Sequence, residues 1–225
     1  KLFSEIKSKI KLEDESLKFK DERYFYWTKT VKKGNYGKYL RQKIGTSKKE
    51  VYFDGDKEKK LSGSKYFGVG TISVSHNDMY MAYSLDLKGS EHYDIFLRNL
   101  STNKLIEKKI INTSGNIVWC LDSKSFFYTP LDKFHRSKKI YKHILGTDVK
   151  DDQLIFEETD DSFSVSISLT SDEKFFVINT SDSNTVEEYF FSSKKEEIKP
   201  ELFKARKKGI KYSIDSWKNH WYIHT

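Results

Sequence analysis

A pattern of four short apolar runs separated by polar turns recurs along this chain and constrains its fold more than any other feature. The clearest copy spans residues 70–111, where runs rich in aromatic and β-branched residues alternate with turn formers such as residues 75–78. Such runs are typical of antiparallel strands. One four-stranded sheet buries too little surface to be stable alone, so it needs neighbours packed against it. The runs of this copy are Thr71–Val74, Met79–Leu85, Tyr93–Leu100 and Leu105–Ile111.

Two further copies follow the first. The aspartate in the turn before the second run recurs as Asp78, Asp122 and Asp172, at steps of 44 and 50 residues. A four-stranded unit that repeats every ~40–50 residues is the signature of a β-propeller blade. A stack of antiparallel sandwich domains is the alternative, but the period holds over three units without a linker. The sequence therefore predicts an all-β fold, a partial β-propeller of four-stranded antiparallel blades.

The beginning of the chain differs from the rest. Apolar residues on one face and lysines on the other predict a short N-terminal helix over Lys1–Leu12, the only helix expected in the chain. A connector at Ser16–Asp21 then leads to the aromatic run Arg23–Val31 and to a hairpin turn at residues 34–37. We therefore expect a helical lead-in and connector at 1–20, then blades at 21–62, 63–113, 114–160 and 161–208 and an incomplete blade at 209–225.

Charge favours a solvated, lysine-coated surface over a nucleic-acid footprint. The chain has 41 basic and 33 acidic residues, and its lysines are spread along the whole length. The densest basic segment is Lys194–Lys211, with eight basic residues against three acidic ones, Glu196 among them. It falls at a predicted blade edge, where charges also oppose pairing between sheet edges. Nucleic acid is therefore not an expected partner.

The single cysteine, Cys120, rules out a disulfide within the chain and suits a reducing compartment. It lies in an apolar run between Trp119 and Leu121, so a buried, inert thiol is expected rather than a nucleophile. No run approaches the ~18 apolar residues needed to span a bilayer, and no apolar leader precedes the first strand. We therefore expect a cytoplasmic protein without a membrane partner.

Three short motifs resemble ligand sites but fail their patterns. The alternating carboxylates of Asp54–Glu58 suggest a calcium loop, yet lysines stand at its sixth and twelfth positions, so a polar hairpin turn is expected. Gly68–Gly70 lacks the lysine and helix of a phosphate loop and is expected to be a turn between blades. His220 and His224 share one side of a predicted strand without an acidic third ligand nearby. No metal or cofactor is predicted.

A catalytic nucleophile is not predicted either. Serine hydrolases of the α/β type need Gly-x-Ser-x-Gly, and Gly63-Ser64 has no second glycine at the required offset. No alternation of strands and helices appears that would build the parallel sheet for such a turn. We therefore assign no catalytic, substrate-binding, cofactor-binding or metal-binding residue.

Several stretches, in the same order along the chain, resemble one known family. The most specific is His143–Thr147, which continues through Asp152 to Ser164–Ser166; the others are Leu2–Lys11, Asp21–Tyr26, Phe96–Thr102 and Val118–Tyr128. These stretches are similar to the prolyl oligopeptidase family of serine peptidases, and within it to the oligopeptidase B (protease II) type. The likeness covers essentially the whole chain.

The resemblance implies a peptidase in which a seven-bladed propeller caps an α/β-hydrolase domain that carries a Ser-His-Asp triad. Such a peptidase would cleave short peptides after Lys or Arg. This chain would supply about four and a half blades and no member of the triad. We therefore expect a substrate-gating fragment that is inactive alone. The alternative is a stand-alone scaffold that binds an acidic protein or nucleic acid through a propeller face or through Lys194–Lys211. Open blade edges also predict that the last strand pairs with another copy or is disordered.

Overall fold

Antiparallel strands dominate the computed structural model, which describes residues 1–195 and 197–225. Glu196, counted above in the basic segment, lies outside the described residues. The chain divides into two units, Lys1–Phe67 and Gly68–Thr225, and each is described by itself.

Unit 1 holds two helices and a five-stranded sheet in the order β1-β3-β4-β5, with β2 also paired to β3. The aromatic run predicted to be the first long strand forms β3, and its Trp27 packs into the core of the unit. The elements are α1 (Leu2–Lys9), β1 (Asp14–Glu15), β2 (Phe19–Asp21), β3 (Tyr24–Thr30), β4 (Lys38–Lys43), β5 (Lys49–Asp54) and α2 (Gly55–Ser62).

Two expectations for unit 1 were wrong. The predicted connector Ser16–Asp21 contains β2, and β1 precedes it; both strands pair with β3, with Asp14 opposite Thr30 and Phe19 opposite Tyr26. These short strands are exposed, so they carry no apolar pattern, and their pairing depends on backbone hydrogen bonds to a neighbour distant in sequence.

The predicted hairpin turn at Asp54–Glu58 is instead the start of α2, a second helix that the sequence argument missed. The Asp54 side chain accepts a hydrogen bond from the backbone N–H of Lys57 at 3.1 Å, as an N-cap residue does. Gly63 ends the helix with a left-handed φ of 62°, a conformation that favours glycine. Caps at both ends stabilise a helix in this Lys- and Glu-rich segment, although it has almost no apolar face.

Replacing Asp54 with alanine is expected to lower the free energy of unfolding by about 1 kcal/mol, because α2 loses its N-cap. Asp54 also pairs with Lys38 Nζ at 2.9 Å, so Asp54→Asn is the matched variant: it keeps the cap and removes the ion pair. Urea denaturation of both variants measures the difference. An equal loss in both would assign the stabilisation to the ion pair instead of the cap.

Unit 2 contains fourteen strands among its described residues, in three sheets. The largest sheet has the order β13-β12-β11-β10-β8-β7-β6 with β9 on β8, followed by β14-β15-β16-β17 and β18-β19. The strands are β6 (Gly68–Val74), β7 (Tyr80–Asp86), β8 (Tyr93–Asn99), β9 (Lys104–Leu105), β10 (Ile110–Trp119), β11 (Ser125–Pro130), β12 (Lys139–Ile144), β13 (Gln153–Glu157), β14 (Ser164–Leu169), β15 (Phe175–Ser181), β16 (Val186–Ser192), β17 (Glu201–Lys204), β18 (Ser213–Trp217) and β19 (His220–His224).

Strand β10 joins two four-stranded groups into the largest sheet. Its first residues pair with β8 and its later residues pair with β11, with a register shift on each side. The predicted fourth strand Leu105–Ile111 is therefore wrong: β9 ends at Leu105, and the chain re-enters the sheet at Ile110 as part of β10. Asn112 and Gly115 have left-handed φ angles of 62° and 85°, which interrupt the regular pleat where the strand changes partners.

Gly68–Gly70, predicted to be a turn, lies within β6. A Cβ at Gly70 would come within 2.5 Å of Ser84 Oγ, and one at Gly115 would come within 2.8 Å of the Tyr93 ring. The Ser84 hydroxyl sits between these glycines, since it accepts from the Thr71 N–H and donates to the Gly115 carbonyl, both at 2.9 Å. Glycine is used here because β6, β7 and β10 approach closely, and not because the chain turns.

The core of unit 2 lies between four-stranded groups that pack face to face, two of which belong to the largest sheet. Neighbouring residues of a strand point to opposite faces, and on β11 both faces are buried. Phe126 packs into a cluster that includes Leu97 and Trp119, whereas Phe127 packs into a second cluster that includes Phe176 and Phe191. A sheet buried on both sides needs neighbours on both sides, as the blade repeat predicted.

Candidate functional site

Four hairpin turns, each before the second strand of a repeat, form what we call the turn rim of unit 2: residues 75–79, 120–124, 170–174 and 218–219. The first three share one hydrogen-bond pattern, in which the N–H of the fourth residue donates to the carbonyl of the first at 2.8–3.0 Å. That fourth residue, Asp78, Ser123 or Glu173, has a left-handed φ near 57°. The fourth turn is tighter, with positive φ at both Lys218 and Asn219.

Contacts between the turns place them on the same side of unit 2. The Asn77 N–H donates to Ser123 Oγ at 2.9 Å, and Lys174 Nζ donates to Asn219 Oδ1 at 2.5 Å. His76 Nδ1 lies 3.9 Å from Glu173 Oε1, across the intervening turn. The rim is therefore a connected edge, made of short loops that the sheets behind them hold in place.

Hydrogen bonds keep the carboxylates beside the rim ionised. Burial acts to raise the pKa of Asp215, but bonds from the Ser171 hydroxyl and N–H lower it below its usual value. Burial likewise opposes ionisation of Asp172, whose pKa is lowered by the Lys174 N–H and the Ser216 hydroxyl. These bonds hold the carboxylates of Asp172 and Asp215 in fixed positions at the rim.

A buried cluster of hydrogen-bonded side chains surrounds His143, which begins the stretch that most specifically resembles the family. His143 Nδ1 lies 2.7 Å from Asp152 Oδ1, and Nε2 lies 2.8 Å from Glu107 Oε1. Tyr128 donates to the second Asp152 oxygen at 2.8 Å, and the Gly146 N–H donates to the second Glu107 oxygen at 2.7 Å. Burial acts to lower the pKa of His143, but the two carboxylates raise it above its usual value.

The His143 cluster is structural in its chemistry. Both ring nitrogens face carboxylates, so neither nitrogen is available to accept a proton from a serine or cysteine nucleophile. The cluster instead joins β12 to the segments that contain Glu107 and Asp152. The family resemblance covers this stretch, but nothing in the sequence indicates that Glu107, 36 residues away, is the second partner of His143.

A second cluster centres on Arg206 in the basic segment. Its guanidinium donates to Glu158 at 2.5 Å and to Glu187 at 3.0 Å, and it lies over the Phe163 ring at 3.9 Å. Hydrogen bonds from Arg206 lower the pKa of Glu187 against the opposing effect of burial. Within the same segment, Lys199 pairs with Glu197 at 2.7 Å. These pairs reduce the charge that Lys194–Lys211 offers to an outside partner.

The cysteine and the two histidines considered in the sequence analysis are not arranged as a catalytic or metal site. Cys120 is buried as predicted, and burial raises the pKa of its thiol to about 11. His220 and His224 are exposed on β19, and His220 Nδ1 lies 3.0 Å from the Lys218 carbonyl. Throughout residues 1–195 and 197–225, no three ligating side chains approach closely enough to hold a metal ion. Within the same ranges, neither helix has the length and apolar character needed to cross a bilayer.

Stacked four-stranded sheets with a shared rim of hairpin turns define a β-propeller domain. The family model for the N-terminal β-propeller domain of prolyl oligopeptidase matches residues 1–225, and the chain belongs to that family.

Known proteins place the chain near oligopeptidase B. It is 28% identical to dipeptidyl aminopeptidase BI of Pseudoxanthomonas mexicana, over all of this chain and 33% of the relative. It is 27% identical to Protease 2 of Moraxella lacunata, over 87% of this chain and 29% of the relative. Oligopeptidase B from Leishmania major superimposes with a TM-score of 0.87 at 26% identity, over 96% of this chain and 31% of that one.

These matches confirm the predicted partial propeller and its oligopeptidase B type. The chain spans about a third of the length of the relatives it matches, and all of its residues fall in the propeller model. In those relatives the propeller is one domain of a longer peptidase. Its partner in the same polypeptide is the α/β-hydrolase domain.

Proposed function

We propose that this chain is the substrate-gating propeller portion of a serine oligopeptidase of the oligopeptidase B type. In this proposal an α/β-hydrolase domain supplies the catalytic residues, and the substrates are short peptides cut after Lys or Arg. The observation that carries the proposal is the turn rim, because contacts between its turns make it a stiff edge.

A stiff, polar edge suits selection by shape. An extended peptide can pass such an edge and exchange its water contacts for hydrogen bonds to rim groups such as Asn77 and Glu173. A folded protein cannot pass unless the edge opens, and opening would break the bonds between turns. The blades would therefore act as a filter, while the chemistry occurs in the hydrolase domain.

Three finer points belong to the same proposal. The blade limits at 21–62, 63–113, 114–160, 161–208 and 209–225 stay a prediction. A cytoplasmic location also stays a prediction, supported by the lone, buried Cys120. The last strand, β19, is regular and paired with β18, so the expectation of disorder is wrong, whereas pairing with a second copy stays a prediction.

Among the residues that the structure describes, no specific contact favours the alternative, a scaffold that binds an acidic protein or nucleic acid. Arg206 is already bound by two carboxylates, and Lys199 has an acidic neighbour. The lysines of Lys194–Lys211 are exposed, as expected of charges at a blade edge.

Hydrolysis of a dibasic peptide p-nitroanilide tests the proposal. The 225-residue chain alone is expected to show no hydrolysis. A chimera in which it replaces the matching N-terminal third of Leishmania major oligopeptidase B is expected to cleave the peptide and to leave a folded protein intact. Activity of the chain alone would contradict the proposal, as would a folded chimera that cleaves peptide and folded protein equally well.

A matched variant links the result to the rim. Asn77→Pro removes the N–H that reaches Ser123, whereas Lys88→Ala changes an exposed residue outside the rim. In the chimera, the proline variant is expected to cleave the folded protein at least 5-fold faster relative to the peptide, and the alanine variant is expected to keep the original ratio. Equal ratios in both variants would assign the filter to another part of the propeller.

A further inference from the structure

We propose that a cavity at the second turn of the rim binds a small aromatic carboxylate, a function beyond the gating of peptides. The cavity has a volume of about 230 Å³ and lies between two neighbouring sheets of unit 2. One side comes from the turn at residues 120–122 and from β11 and β12. The other comes from β15, β16, residues 193–195 and Ile198.

The inner end of the cavity is made of three phenylalanine rings. The Phe127 centroid lies 4.8 Å from that of Phe176 and 5.7 Å from that of Phe191, and the last two are 5.3 Å apart. All three side chains are buried. An engineered apolar cavity of about 150 Å³ accepts benzene, so the present volume has room for one aromatic ring and a small polar group. The apolar part of the ligand is therefore a single ring packed against these phenylalanines.

The outer end of the cavity is cationic. Lys142, Lys194 and Lys195 line it, and Asp122 is its acidic residue. Asp122 is already engaged, because its carboxylate accepts from the Lys124 and Ser125 N–H groups at 2.7 and 3.0 Å. Among the described residues, which exclude Glu196, no ion pair joins the three ammonium groups to a carboxylate. An anion would satisfy them, and a cation would be repelled.

Size, ring contacts and charge together select the ligand class. An aromatic carboxylate places its ring against Phe127, Phe176 and Phe191 and its anionic group near Lys142. A neutral aromatic amide would keep the ring contacts and lose the charge-assisted hydrogen bonds. The ligand is either a free aromatic acid or the C-terminal aromatic residue of a peptide. The peptide residue is the longer of the two, because it carries an amide and a backbone carbon between the ring and the rest of the chain.

A titration of the 225-residue chain with benzoate, followed by ligand-observed NMR, tests the site. Benzoate is expected to bind with a dissociation constant on the order of 1 mM, as befits a fragment of so few atoms. Benzamide and benzylamine are expected to bind at least 5-fold more weakly. Equal binding of benzamide would overturn the proposal. N-acetylphenylalanine separates the sources: affinity at least equal to that of benzoate indicates a peptide C-terminus, and weaker binding indicates a free acid.

Two readouts place the ligand in this cavity. Lys142→Gln is expected to weaken benzoate binding about 5-fold, whereas Lys108→Gln, an exposed control outside the cavity, is expected to leave it unchanged. Cys120 lines the cavity and is the single cysteine of the chain. Saturating benzoate is expected to slow its reaction with methyl methanethiolsulfonate about 5-fold. Unchanged affinity in Lys142→Gln, or an unchanged Cys120 rate while benzoate binds, would overturn the proposal.

Discussion

Replacing His143 with glutamine is expected to lower the free energy of unfolding by about 3–5 kcal/mol, the usual cost of removing one partner from a buried ionic group. The His143 and Asp152 side chains are each 1% exposed, and Glu107 is 12% exposed, so water cannot replace the lost cation. The variant leaves two carboxylates buried with one cation fewer. Chemical denaturation of the 225-residue chain measures the loss.

The loss should depend on pH in a defined direction. The pKa of His143 is raised in the folded chain, since its two carboxylates outweigh the effect of burial. A raised pKa stabilises the fold fully below the unfolded value, about 6.5 for histidine, and this stabilisation disappears as pH rises through the folded pKa. The difference between the wild type and the variant is therefore largest below about pH 6.5 and shrinks toward alkaline pH.

His224→Gln is the matched control, because His224 is exposed on β19, and it is expected to change stability by less than about 0.5 kcal/mol. Comparable effects of the two substitutions would contradict a buried ionic role for His143. So would a loss that grows as the pH is raised.

Replacing Arg206 with methionine is expected to lower the free energy of unfolding by about 2–3 kcal/mol. Methionine keeps much of the contact with the Phe163 ring but leaves Glu158 and Glu187 without their shared cation. The value lies below that for His143 because the Arg206 side chain is 26% exposed, so solvent screens part of its charge. Thermal or chemical denaturation at neutral pH measures it.

Acid provides a second test of the Arg206 cluster. Burial acts to raise the pKa of Glu187, but Arg206 and Tyr189 lower it below its usual value. Stability from a lowered pKa is present above the unfolded value, about 4.3 for glutamate, and is lost as pH falls through the folded value. The difference in the free energy of unfolding between the wild type and Arg206→Met should therefore become smaller at acidic pH. Lys207→Met, an exposed neighbour in sequence, is expected to match the wild type at every pH.

The repeat was readable from the sequence because it depends on local signals. Asp78, Asp122 and Asp172 mark equivalent turns, and the structure places Asp78 and the residue after each of the other two in the same left-handed position. The apolar run around Phe126 and Phe127 predicted a strand, and both of its faces are buried. Local turn chemistry and strand patterning agree here with the global fold.

The features that sequence reasoning missed depend on distant partners or on caps. The pairing of His143 with Glu107 joins residues 36 apart, and no periodicity marks it. Strands β1 and β2 lack buried residues and exist because β3 offers backbone partners. The Asp54 cap and Gly63 terminus of α2 were visible, but the alternating carboxylates between them suggested a turn. Contacts within the turn rim, such as that of Asn77 with Ser123, join residues distant in sequence, so they could be identified only from the structure.

Strand β10 has a consequence for how this family can vary in length. Its first residues pair with β8 and its later residues pair with β11, so one inserted or deleted residue between these pairings would shift the register with the partner strand. The side chains beyond that point would then turn to the opposite face. Natural insertions are therefore expected to accumulate in exposed loops between strands, such as residues 133–135, while β10 keeps a constant number of residues through evolution.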